Sequence, residues 1–529
     1  MTYWSLIFIG LFLPLTVLIY NLLPQKHRGK LLLIASYIFF WSISDKLIIY
    51  LLITTLFMYF FGKWFNKIQA KRDFTLKDTP KENKKSIKEI YKKKQRKILI
   101  FTILVQVGIL IVLKYSTFLG TNINTLLQLL NLNIEIPITE FLIPIGISFY
   151  TLQAISYIMD VYKEKIKADN NLGRLALFIS FFPQIMEGPI CRYSQTAEKL
   201  WEGTKTTSDN FRYGIQRILW GLMKKAIIAD RLNLFVLEIF NNYHSYDGGM
   251  IAIGMILYTL QLYADFSGTM DIAIGIGHIF GVKIPENFRQ PFFSKSISDF
   301  WTRWHITLGT WLRDYIYYPV SLSNICKKIT TKARKKIGNY YGPIIASSVA
   351  LFAVWICNGI WHGSAWNYIF FGMYHFSIIL SGKIFEPLFK KITEILHINR
   401  KHFIYTGFQI VRTTCLVFIG ELFFRANGLI AGFQMFSKMI TNFSLNSITS
   451  GSVFYIGMGR GDFLVIAIAT LLLFIVGILK ERGMDVNKSI CNKNIVIRWI
   501  IYYIIILAII VFGGYGVGYK PVEPMYAQF

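Results

Sequence analysis

Charge-free apolar stretches long enough to cross a bilayer recur along the whole chain, and no other feature limits the fold as strongly. Phe463–Leu479 and Trp499–Phe512 carry no charged side chain. Inside a bilayer every backbone polar group has to be satisfied within the protein, which leaves helices and closed barrels. These stretches do not alternate polar and apolar residues as the strands of a membrane barrel would. Composition agrees. Of 529 residues, 54 % are hydrophobic and only 16 % charged, against about 25 % charged in ordinary soluble domains. The mean hydropathy is +0.44. An ordinary soluble enzyme, a disordered chain and a disulfide scaffold are excluded. The chain reads as an all-α polytopic membrane protein.

Apolar stretches fall near residues 3–23, 30–43, 47–62, 98–114, 139–159, 172–190, 212–240, 249–281, 342–357, 361–382, 403–424, 428–442, 461–479 and 495–513. At about 20 residues per crossing they predict about eleven to thirteen transmembrane helices, with shorter re-entrant or interfacial pieces. No internal repeat or soluble domain interrupts them, so 1–529 reads as a single transmembrane domain. The first stretch has no basic leader and no small-residue cleavage site, so it is expected to be a retained span.

Lys and Arg number 57 against 29 Asp and Glu, a net charge of +28. In a soluble protein that excess suggests nucleic acid. Here the basic residues sit between apolar spans, and Lys and Arg collect in cytoplasmic loops, so no nucleic acid is called for. Residues 63–97 hold fourteen Lys and Arg against four acidic residues, which predicts a basic cytoplasmic insertion. Lys327–Lys336 and Lys480–Lys493 make further inner anchors, and Lys26-His27-Arg28 falls inside with them. This count puts the N-terminus and the tail 514–529 outside a plasma membrane. The inner face would attract an anionic cytosolic substrate. The five cysteines are scattered with no CxxC pair, so neither a metal site nor a disulfide framework is indicated.

Ionisable residues within apolar sequence are costly and mark function or a buried pair. Three segments carry them. In Asp265-Phe-Ser267-Gly268, followed by Asp271, two readings stand: a helix break satisfied by Asp265 and Ser267, or a part in a site. In Ser296–Pro319, Ser298 or Asp299 can cap a helix, and Asp299 and Arg303 have the spacing of a same-face ion pair. Trp301, Trp304, Trp311, Tyr315 and Tyr318 suggest an interfacial or partly inserted helix. His305 there reads either as an interfacial histidine bonded to a carbonyl or as a reacting group. In Trp355–His375, His362 lies between Gly359 and Gly363, which allow close approach of a ligand or backbone. A neutral imidazole in such a place suits a general base, although a satisfied core histidine fits the same pattern. His375 is expected to be structural.

Asp299-Phe-Trp-x-Arg303-Trp304-His305-Ile-x-Leu308, followed by Trp311-Leu-Arg-Asp-Tyr315, resembles the signature of the membrane-bound O-acyltransferase family, and Trp361-His362-Gly363 is similar to the segment carrying that family's histidine. Pro144–Tyr157, Phe181-Phe-Pro-Gln184, Gly188-Pro189, Tyr263–Gly268, Pro285-Glu-Asn-Phe288 and Phe424-Arg-Ala426 resemble its alginate and peptidoglycan O-acetylation branch. The resemblance implies a ring of transmembrane helices around a thinned centre, with His362 in a tunnel open to both sides. It implies His362 and His305 as the catalytic pair, with Asn358, Trp361, Trp304, Asp299, Arg303, Asp265 and Ser267 lining or supporting the tunnel. No cofactor is expected to be bound. The acyl donor it implies is acetyl-CoA or an acyl carrier thioester, and the acceptor an extracellular hydroxyl, reached through an exported or membrane-anchored esterase-like partner. Tyr526 in Pro524-Met-Tyr526-Ala-Gln-Phe529 resembles the tyrosine of a short terminal motif that relays the acyl group; a frayed terminus is the plainer reading. D-alanyl transfer to teichoic acid within the same family, and a transporter or channel, are the alternatives.

Overall fold

The structure, a computed structural model, describes residues 1–515 and 518–523. Among these, all regular structure is helical. Eight helical stretches are long and apolar enough to cross a membrane: Gln25–Lys77, Lys84–Leu129, Gly248–Ile279, Asn324–His362, Trp366–Ile395, Phe403–Arg425, Arg460–Glu481 and Ile495–Phe512. The first contains two helices, Gln25–Ser44 and Ile48–Lys77. Several apolar stretches counted toward eleven to thirteen spans fold as shorter pieces. Ile147–Tyr162 has 16 residues, about 24 Å of helix, against a hydrocarbon core of about 30 Å.

The chain divides into two compact units, one of Met1–Ile215 with Ala273–Pro285, the other of Gln216–Ile272 with the described residues from Glu286 onward. In the first, the Ile147–Tyr162 helix is buried on nearly every face, its polar Ser148, Thr151, Gln153, Ser156 and Asp160 included. An aromatic cluster packs Tyr3 flat on Phe39 at 5.3 Å and Phe12 edge-on to Phe182 at 5.4 Å, and the Tyr3 hydroxyl donates to the Phe182 carbonyl at 2.6 Å. The basic stretch 63–97 is almost wholly helical. Ile48–Lys77 and Lys84–Leu129 both run through it, leaving only 78–83 irregular. Lys, Gln and Glu are good helix formers, and the 46-residue second helix is about 69 Å long, far more than a bilayer needs.

The Gly248–Ile279 helix runs unbroken through Asp265-Phe-Ser267-Gly268, which removes the helix-break reading. Gly268 serves close approach instead. A Cβ there would lie 2.8 Å from the Gly221 carbonyl oxygen, and one on Gly221 would lie 2.4 Å from that of Gly268. The acidic residues of this helix face basic residues of the neighbouring segment. Lys224 Nζ lies 2.6 Å from Asp271 and donates to Ser267 at 2.7 Å, and Lys225 Nζ lies 2.9 Å from Asp265. Removing one partner of such a buried pair costs about 3–5 kcal/mol.

Asn324–His362 is two helices joined at Gly338, whose φ of 82° is left-handed. The basic half, Asn324–Lys336, folds back there, and a Cβ on Gly342 would lie 2.6 Å from the Arg334 nitrogen. The apolar half makes a hairpin with Trp366–Ile395. Its two strands of helix touch at Gly359 and Gly372, where a Cβ would lie 2.5 Å from the Tyr368 oxygen and 2.3 Å from the Trp355 oxygen. Glycine at both places lets the hairpin close tightly just below His362.

Candidate active site

His362 ends its helix and is 6 % exposed; His305 is 2 % exposed. The ring centroid of Trp361 lies 5.0 Å from that of His362 and 5.6 Å from that of His305. The two imidazoles, 57 residues apart in sequence, therefore share one indole as neighbour. Around His362 the walls are Phe371 at 5.9 Å and Phe424 at 5.1 Å, both edge-on. Gly363 allows Tyr368 in beside it, since a Cβ there would lie 2.2 Å from the Tyr368 ring. Asn358, one turn before His362, is buried as well.

His305 sits between two seven-residue helices, Ile297–Arg303 and Ile306–Leu312. Its φ of 47° is left-handed, an unusual conformation for a residue with a Cβ, which costs energy and clusters at functional sites. Asn287 holds it there. The Thr307 N–H and hydroxyl donate to Asn287 Oδ1 at 3.0 and 2.9 Å, and the Ile306 N–H donates to the Asn287 carbonyl at 3.0 Å. A backbone N–H can only donate, so the Thr307 N–H fixes Asn287 Oδ1 as an acceptor, and His305 Nδ1, 3.3 Å from Oδ1, carries the proton. Nε2 then holds the lone pair. His305 lies outside the eight spans, and burial lowers its pKa to about 3, so the ring is neutral.

The remaining residues fall in different places. Arg303 Nε donates to Asp299 at 2.9 Å, confirming the same-face pair, and its Nη1 donates to both carboxylate oxygens of Glu481 at 2.9 and 3.0 Å. The helix cap is Ser296, not Ser298 or Asp299. The Ser296 hydroxyl accepts from the Asp299 N–H at 3.1 Å, leaving the Asp299 carboxylate to accept from the Lys295 N–H at 3.1 Å. Trp304 stacks on Phe300 at 5.4 Å and meets Phe288 edge-on at 5.0 Å. Asp265 and Ser267 are tied to Lys225 and Lys224, and it is the residue between them, Phe266, that touches His305 at 4.9 Å. Tyr526 lies outside the described residues. Asn287 was not among the site residues read from sequence; its signal was its place in Pro285-Glu-Asn-Phe288. His375 is fully buried and accepts from Trp301 Nε1 at 3.3 Å.

A probable alginate O-acetylase AlgI of Pseudomonas syringae pv. tomato is 32 % identical over 493 residues, covering 92 % of this chain and 85 % of the relative. This chain belongs to the membrane-bound O-acyltransferase family. The family, described as MBOAT, membrane-bound O-acyltransferase family, matches residues 165–332, which include His305 and its Asn287 clamp. A peptidoglycan O-acetyltransferase of Helicobacter pylori is 31 % identical over 52 % of this chain and 53 % of the relative. A teichoic acid D-alanyltransferase of Bacillus subtilis is 35 % identical over 47 % of this chain and 60 % of the relative. The protein is an acyltransferase with multiple membrane-spanning helices.

Proposed function

We propose that this acyltransferase takes an acetyl group from a cytosolic thioester and delivers it to a hydroxyl of an extracellular polysaccharide or peptidoglycan. The observation that carries this reading is the placement of His305 and His362 against one indole within a buried aromatic cage. The long match to alginate O-acetylases supports the acetyl group; the match to D-alanyltransferases covers less than half the chain. His362 accepts the hydroxyl proton as the oxygen bonds to the thioester carbonyl carbon. The carbon–sulfur bond breaks, and the proton passes to the departing thiolate, giving a thiol and an ester. His305 orients the hydroxyl. A neutral ring with its lone pair on Nε2 can accept from a hydroxyl but has no proton there to steady an oxyanion.

The donor is acetyl-CoA or an acyl carrier protein, both anionic and both drawn to basic inner surfaces. Purified protein given labelled acetyl-CoA is expected to release free CoA. Absence of CoA release with acetyl-CoA and with an acetylated carrier protein would overturn the reading. Tyr526 is proposed as the relay that passes the acyl group to an exported esterase-like partner. A phenol with a pKa of about 10 leaves more readily than a sugar alkoxide. Mass spectrometry after donor incubation should find the label on Tyr526.

Direction of transfer depends on topology. The charge pattern supports a cytosolic 63–97 and both termini outside the plasma membrane. Ser86 is exposed within that basic stretch. In a background without other accessible cysteines, Ser86→Cys should react with an impermeant maleimide only in opened or inverted membranes. Labelling in intact cells reverses the assignment.

A further inference from the structure

We propose that the second unit contains a binding site for an extended peptide main chain, built on Lys225, Asp230 and Asp265 and filled by the chain's own segment Tyr519–Val522. The Val522 N–H donates to Asp230 Oδ1 at 2.8 Å, and Lys225 Nζ donates to the Val522 carbonyl at 2.7 Å. One residue's peptide donor and acceptor are thus both read, as an adjacent strand would read them. Asn233 Nδ2 donates to the Lys520 carbonyl at 2.8 Å. Pro521 between them has no N–H and needs no acceptor. Arg231 Nη1 donates to the Tyr519 hydroxyl at 3.0 Å, and that hydroxyl donates to Asp462 at 3.1 Å. Farther back, the Gly514 N–H donates to the Ala226 carbonyl at 2.7 Å.

The charged cluster is built around this occupant. The Lys225 side chain is fully buried, with Asp265 3 % and Asp230 8 % exposed. An ammonium has three donors, and three acceptors lie within 2.9 Å of Nζ: Asp230, Asp265 and the Val522 carbonyl. Two carboxylates face one ammonium, and the Val522 N–H is directed at one of them. The peptide groups of Val522 thus supply an acceptor to the lysine and a donor to the Asp230 carboxylate. Lys520 and Pro521 are exposed, so their side chains point away from the dock and recognition falls on the main chain. Lys224–Ala229, which supplies the lysine, is a widened π-type turn, a local irregularity that frequently accompanies functional sites.

The dock holds the segment four residues ahead of Tyr526, so its effect on transfer rests on the relay reading, whereas its binding does not. The test uses the full-length protein in detergent, freed of accessible native cysteines, with a nitroxide on Lys520→Cys. Val522→Pro removes the N–H donated to Asp230; Val522→Ala keeps it. A restricted spectrum is expected for the parent and for Val522→Ala, and a predominantly mobile one for Val522→Pro, with acyl transfer reduced tenfold or more by the proline. Identical spectra for the alanine and proline variants overturn the dock, as does a mobile label in the parent. A proline variant that frees the label yet transfers within twofold of the parent upholds the dock and counts against the relay.

Discussion

His362→Ala is expected to lower acyl transfer by about 10²–10⁴, the usual worth of a positioned general base, while the protein stays monodisperse. The ring closes its helix directly after the tight crossing at Gly359, and its neighbours Trp361, Phe371 and Phe424 contact one another or the rest of the cage. Loss of the imidazole therefore leaves a cavity whose walls remain braced. His362→Gln fills more of that space without supplying a base. Both variants should be comparably slow if chemistry needs the imidazole. The measurement is release of labelled CoA per enzyme alongside thermal unfolding in detergent. A glutamine variant with turnover near that of the parent would reduce His362 to packing, and the second imidazole would have to carry the proton alone.

Much of the fold was legible because a bilayer leaves long charge-free stretches one choice, the helix. The Asp299–Arg303 pair was legible for a similar local reason: its partners lie within one turn of helix. What was not legible depends on distant partners. Gly268 follows Asp265 and Ser267, so sequence offered a helix break. The helix continues because Lys224 and Lys225, about forty residues earlier in the chain, take up those side chains, and Gly221 needs the room. Gly338 stands in a run of Lys, Arg and Ala that favours helix, and nothing local betrays a left-handed turn there. His375 is buried as a structural histidine, and the hydrogen bond it accepts comes from Trp301, 74 residues back. The same limit hid Asn287. An Asn in a short connecting segment suggests a turn; only tertiary structure brings His305 and Thr307 onto its oxygen.

Asn287→Ala is expected to lower turnover by about 10², with a smaller loss of stability. Three donors converge on Oδ1, from Thr307 N, Thr307 Oγ1 and His305 Nδ1, at 3.0, 2.9 and 3.3 Å. Alanine leaves a buried Thr307 N–H without that acceptor, at a cost of about 1–3 kcal/mol. It also frees the left-handed His305 to relax and to exchange its Nδ1 proton for one on Nε2, which turns the face directed at a hydroxyl from acceptor to donor. Displacement of a reacting group by about 1 Å is enough to cost 10²-fold. If Asn287 acts through His305, the Asn287→Ala/His305→Ala double variant should be no slower than His305→Ala alone. His305→Ala combined with His362→Ala should likewise fall short of additivity if the two imidazoles work on one hydroxyl. Multiplicative losses for Asn287 and His305 would mean that the clamp serves the packing of Phe288 and of Met270, whose sulfur accepts from Asn287 Nδ2 at 3.2 Å, and that the orientation of His305 is set elsewhere.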